Sequence, residues 1–169
     1  MRPGAALLLA LLAAGWSGPA GAGTLTGRIV TFRVLAYDDA AAPLFDGRGQ
    51  TVKVSDAVEF GLGPEGAQNG LDVIPVQVNI SDSRIEVRFD GPDETAPLQA
   101  RFNGYVLSFD TECVLFQGAT IDAAASNVAL TDADVTWDRG VLYINVAGRP
   151  YVTGSRFAVD LDVTDCPLS

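Results

Sequence analysis

Histidine is absent from all 169 residues. Its absence removes Ser-His and Cys-His nucleophilic mechanisms and His-ligated zinc or iron sites, and it leaves carboxylates as the chief side chains for acid-base chemistry. Basic residues are few: 11 Lys and Arg stand against 21 Asp and Glu, a formal charge of −10. That balance argues against duplex nucleic acid and anionic membranes, which are bound by Lys and Arg at phosphates. The acidity suits solubility, and it is compatible with cations or with sugars held by carboxylates.

Only one long apolar run occurs, from Ala5 to Ala14, and Gly15, Ser17, Gly18 and Pro19 interrupt it. A membrane-spanning helix needs about 20 apolar residues, so the run is too short to cross. With Arg2 before it and Ala20-Gly21-Ala22 after it, the segment has the three regions of a secretory signal in the right order. The expectation is a signal peptide over residues 1–22 and one domain over 23–169, secreted or periplasmic, with no membrane span in the mature chain. Loss of Arg2 takes the formal charge from −10 to −11.

Cysteine occurs twice, at Cys113 and Cys166, too far apart for a CxxC redox or zinc motif. In an oxidising compartment the pair is expected to form a disulfide, which the loop-closure argument values at about 4 kcal/mol.

The remaining chain carries strand signals and little helix. Thr24 to Tyr37 is rich in β-branched and aromatic residues, and Thr51 to Val54 and Val58 to Phe60 are shorter versions. Val76, Val78 and Ile80 alternate with polar residues, as do Ile85, Val87 and Phe89 beyond Ser81-Asp82-Ser83, which predicts a hairpin with one apolar face. Further strand signals run from Leu98 to Phe109, Cys113 to Ile121, Asp134 to Trp137, Val141 to Val146 and Phe157 to Val163. Gly, Pro, Asp and Asn separate them, and only Asp122 to Ala125 is compatible with a helical turn. The pattern predicts an all-β fold, a two-sheet antiparallel β-sandwich of jelly-roll or Ig-like type with nine or ten strands.

The hairpin around Arg139-Gly140 has two registers. A two-residue turn pairs Trp137 with Leu142 and Val135 with Ile144 on the buried face, whereas a three-residue loop sets Trp137 beside Val141 and Tyr143. The apolar pattern favours the first.

Three constellations bear on chemistry. Gly61-Leu62-Gly63-Pro64-Glu65-Gly66 satisfies a GxGxxG spacing, but Pro64 and Asn69-Gly70 deny it the helix that would meet a pyrophosphate, so it reads as a loop. No cofactor is expected beyond calcium, for which Asp132 and Asp134, with Asp138 nearby, present suitable oxygens. Asp160, Asp162 and Asp165 form a second acidic group, although Asp160 and Asp162 alternate with Val159, Leu161 and Val163 as the wet face of a strand. Tyr105, Trp137 and Tyr143 are the candidate sugar-stacking residues, while Phe60, Phe89, Phe102, Phe109 and Phe157 fall on apolar phases and read as core.

Three segments, Thr51 to Phe60, Val78 to Ile85 and Phe102 to Val106, resemble an uncharacterised β-domain of exported Gram-negative bacterial proteins, some of which carry PEP-CTERM sorting tails. The resemblance implies a structural β-domain and supplies no catalytic residues. A Pro-Glu-Pro motif with an apolar helix and basic tail is absent, so sorting by that route is not implied. The functional expectation is a non-catalytic binding or structural module of the bacterial envelope or extracellular matrix, with polysaccharide or an envelope protein as partner. A subunit that joins partners by strand addition is the alternative. A carboxylate-dependent glycoside hydrolase, needing two acids across a cleft, comes third.

Overall fold

Alternation of apolar and polar residues is what assigns each strand its buried face, and the computed structural model follows it closely. It describes residues 22–61, 67–68, 71–72, 75–91 and 98–168, with the backbone alone at 67–68 and 71–72. The expected signal segment apart from Ala22, and residues 62–66 of the glycine-rich loop, lie outside the described residues.

The strands are β1 Ile29–Tyr37, β2 Phe45–Asp46, β3 Gln50–Lys53, β4 Phe60–Gly61, β5 Ala67–Gln68, β6 Leu71–Asp72, β7 Val76–Ser81, β8 Arg84–Phe89, β9 Phe102–Phe109, β10 Phe116–Ile121, β11 Val135–Asp138, β12 Val141–Asn145 and β13 Arg156–Val163. One six-stranded sheet has the order β11-β12-β9-β1, with both β2 and β3 pairing along β1. The second sheet has the order β10-β13-β8-β7-β4, and β5-β6 form a separate small ladder. All pairings are antiparallel. The predicted sandwich is therefore correct, with eleven strands in its two sheets instead of nine or ten. The two-residue strand β2 is too short for any periodicity to register.

No α-helix forms among the described residues. The segment after Asp122 makes a turn, because Asp122 Oδ1 accepts from the N–H groups of Ala124 at 2.9 Å and Ala125 at 3.2 Å. A side chain that satisfies two donors locally competes with helix propagation.

The hairpin β7-β8 turns at Asp82-Ser83 and pairs Val78 with Val87 and Ile80 with Ile85, all buried. Facing it across the core are Val30 and Phe32 of β1, Leu107 and Phe109 of β9, and Leu142 and Ile144 of β12. Aromatic contacts bridge the sheets: Phe32 stacks on Phe60 at 5.1 Å, and Tyr105 on Phe157 at 6.3 Å. Stacked pairs of this kind add to the burial term and fix rotamers. The β11-β12 turn takes the two-residue register, with Trp137 opposite Leu142 and Val135 opposite Ile144. Arg139 adopts a positive φ of 51°, and its carbonyl accepts from the Leu115 N–H at 3.0 Å, tying this turn to the approach of β10.

Cys113 and Cys166 form the expected disulfide, with Cα atoms 6.3 Å apart. Beside it lies Arg28, buried, whose guanidinium donates to the carbonyls of Thr24 at 2.7 Å, Cys166 at 2.9 Å and Pro167 at 3.4 Å. Burial lowers its pKa, and the nearby Asp165 carboxylate opposes that shift. Ala22 is bridged to Thr164, and a Cβ at Gly23 would stand 2.0 Å from the Thr164 carbonyl oxygen, so only glycine fits there.

Candidate functional site

The outward face of the six-stranded sheet is where the alternation changes character. In β1, Arg33, Leu35 and Tyr37 share a face opposite Phe32 and Val34, and in β9 Phe102 and Val106 join it. Leu35, Phe102 and Val106 are buried there as a second, smaller apolar cluster, flanked by half-buried Tyr37, Val141 and Tyr143. The cluster lies outside the main core. A sheet face turned to water is ordinarily polar, so a row of aromatics on it asks for an explanation.

Tyr37 stacks on Phe102 with centroids 5.2 Å apart and planes 13° from parallel. Tyr143 meets Phe102 edge-on at 6.2 Å and 82°. The three rings floor a groove of about 430 Å³ whose lining includes Leu35, Pro43 and Ala40 on its apolar side and Arg33, Asp46 and Thr136 on its polar side. Arg33 and Asp46 are ion-paired across β1 and β2, so the polar edge presents forked donors and carboxylate oxygens with their charges matched. An apolar floor with a few convergent polar groups is the composition of a small-ligand site.

The aromatic residues nominated from the sequence are dispersed. Tyr105 is 3% exposed in the main core, where its hydroxyl donates to that of Tyr151 at 3.5 Å. It cannot meet a ligand at the surface, because both faces of β9 are covered. Burial pushes its phenol up to about 12, while the bond to Tyr151 acts in the opposite direction. The Tyr151 phenol is raised too, first by burial and then by Tyr105. Trp137 pairs with Leu142 on the core side of the sheet, yet it is 38% exposed because β11 is an edge strand. Only Tyr143 lies in the groove. Phe102, read as core, is buried in the outer cluster instead.

Asp132 and Asp134, the candidate calcium ligands, each bond to protein donors. Asp132 Oδ1 accepts from the Ile121 N–H at 2.7 Å, at the end of edge strand β10. Asp134 Oδ2 accepts from the Thr131 N–H at 2.8 Å and hydroxyl at 3.0 Å, and is ion-paired to Arg149 at 3.3 Å. Among the described residues no three acids or cysteines gather around a common point. One oxygen of each carboxylate caps a backbone donor, Asp132 Oδ1 that of Ile121 and Asp134 Oδ2 that of Thr131.

Capping also governs the sheet edges. Glu59 accepts from the N–H groups of Ser55 at 2.9 Å and Ile80 at 2.7 Å, occupying a donor that β7 presents beyond two-residue β4. β2 and β4 are two residues each and β11 is four, while the longest edge strand, six-residue β10, has its last N–H, that of Ile121, capped by Asp132. Acidic groups with resolved shifts are likewise structural. Asp122 is held below the usual carboxylate range by its bond to Arg84 and by the Ala125 N–H, and Asp82 by the Thr24 hydroxyl. The groove itself is lined by one acid, Asp46.

Comparison with family models, with curated proteins and with solved structures finds no match to this chain.

Proposed function

We propose that the protein is a non-catalytic binding module, exported to the bacterial envelope or extracellular matrix, that takes a neutral saccharide in the groove over Tyr37, Phe102 and Tyr143. The observation that carries this reading is the aromatic row on a sheet face that alternation would otherwise leave polar. Aromatic rings offer an apolar surface to the C–H face of a pyranose, and Arg33, Asp46 and Thr136 supply donors and acceptors for its hydroxyls. The matched Arg33 and Asp46 charges favour an uncharged ligand. The Cys113–Cys166 bond fits an oxidising compartment, in keeping with export.

A glycan array with the purified protein, with and without calcium, tests the reading. Retention of neutral glycans that is lost in both Tyr37→Ala and Tyr143→Ala supports it. Failure to retain any neutral glycan, or equal retention by both variants, overturns it.

A further inference from the structure

The outward face of the five-stranded sheet holds an arrangement that the saccharide reading leaves unused. Arg88 of β8 and Arg156 of β13 are direct antiparallel partners. Their side chains therefore leave the sheet on the same face, with β-carbons about 5 Å apart. Gln77 of β7 is next in the same row. Like charges directly opposite one another repel, so this pairing acts against the fold.

The cost is conspicuous because the chain has acids to spare, 21 against 11 basic residues. Arg33, Arg84 and Arg149 each have a carboxylate partner, and Arg84 has three. Among the described residues neither Arg88 nor Arg156 has a side-chain ion pair or hydrogen bond. Both are exposed, and both line one recess of about 420 Å³ together with Gln77 and Asn79.

We propose that this recess binds a single oxyanion, a carboxylate or a phosphate ester, carried on an otherwise neutral ligand. Two arginines leaving one face from neighbouring positions can turn both guanidinium forks onto one anionic group, and the anion converts their repulsion into two charge-assisted contacts. The amides of Gln77 and Asn79 add neutral donors for the remaining oxygens. Asp56 and Glu86 border the same recess, and with the formal charge of −10 they oppose a polyanion, which would have to bring further negative groups past them. The site lies on the opposite sheet from the aromatic groove, so its fate is independent of the saccharide reading.

Calorimetric titration of the purified protein with galacturonate, with glucose 6-phosphate and with glucose, at low and high salt, is the test. The expected result is binding of one or both anions that salt weakens and that is at least about tenfold weaker in Arg88→Gln and in Arg156→Gln, whereas any binding of glucose, which belongs to the groove, should be insensitive to salt and unchanged in both variants. Lys53→Gln, which removes a positive charge from β3 in the other sheet, should leave anion binding unchanged, as should Tyr143→Ala. Binding of galacturonate alone assigns a carboxylate, and binding of the sugar phosphate alone assigns a phosphate ester. Binding of neither, or a loss in Lys53→Gln as large as in the arginine variants, overturns the proposal.

Discussion

The guanidinium of Arg28 donates to the carbonyl of Cys166 at 2.9 Å, so the residue that closes the disulfide loop is held a second time by a buried cation. Replacing Arg28 with Met leaves the Thr24 and Cys166 carbonyls without that donor and should cost about 3 kcal/mol in urea unfolding. Removing the disulfide as Cys113→Ser with Cys166→Ser should cost about 4 kcal/mol. Both anchors act on one tail, so the triple variant should lose less than the two costs together. A strictly additive loss would show that they hold separate elements.

Alkaline pH should find a weak point in the core. Tyr105 is pushed up to about 12 and Tyr151 is raised as well, so the folded state keeps both phenols protonated while the unfolded chain ionises them near pH 10. Their contribution is intact below about pH 10 and is lost as pH rises from there towards 12. Tyrosinate absorbance followed alongside far-UV circular dichroism checks this: ionisation of these two residues should coincide with loss of sheet structure. Ionisation within a still-folded protein would contradict it.

Acid should act through the caps. Arg84 holds the Asp122 carboxyl down and Thr24 that of Asp82, so both stabilise the fold above about pH 4, the unfolded-state value, and that stabilisation fades as pH falls below it. Asp122→Asn should lower the urea midpoint at neutral pH and flatten the acid limb of the stability profile. An unchanged acid limb would place the titrating groups elsewhere.

Ligand binding in the groove should be invisible to Trp137. The side chain projects from the core side of β11, on the sheet face opposite Tyr143, and in a chain processed after Ala22 it is the sole tryptophan. Its emission should stay constant on adding a retained glycan, and Trp137→Ala should bind normally. A shift in emission would place the ligand at the β11 edge instead.

Stability and binding should part company at Arg88. Arg88→Gln removes one side of a like-charge pair, so its melting temperature should rise slightly, and more at low salt than at high. A lower melting temperature would show the arginine to be a structural contact.

The fold was legible where one face of a strand is wet. Val76 to Ile80 and Ile85 to Phe89 each alternate cleanly, and the apolar phase of Val135, Trp137, Leu142 and Ile144 sufficed to choose the hairpin register. Legibility failed in β9, where Gly104, Tyr105, Val106 and Leu107 are all buried because the outer cluster covers the second face. The two polar residues of β9 mark opposite phases, Asn103 on the face of Tyr105 and Ser108 on the other, so the strand gave no consistent sign that Tyr105 points inward. Arg33, Leu35 and Tyr37 did alternate with Phe32 and Val34, so the groove's β1 wall was readable, but its meeting with Phe102 and Tyr143 depends on strand order. The acids were ambiguous for a chemical reason: a capping carboxylate and a calcium ligand look alike until the nearby N–H groups are placed. The pairing of Arg88 with Arg156 is likewise set by a long-range register that no local pattern encodes.

The bridge between Ala22 and Thr164 sets the first described residue beside the residue that follows the last strand, about 5 Å from it. A linker joining them need not travel around the sandwich. The order in which the strands follow one another is thus a matter of where the chain is cut, and new ends at an exposed turn such as Ala123-Ala124 should leave both sheets in place. By the same geometry, the fold can be set into a surface loop of a host protein with both junctions at one point on its surface.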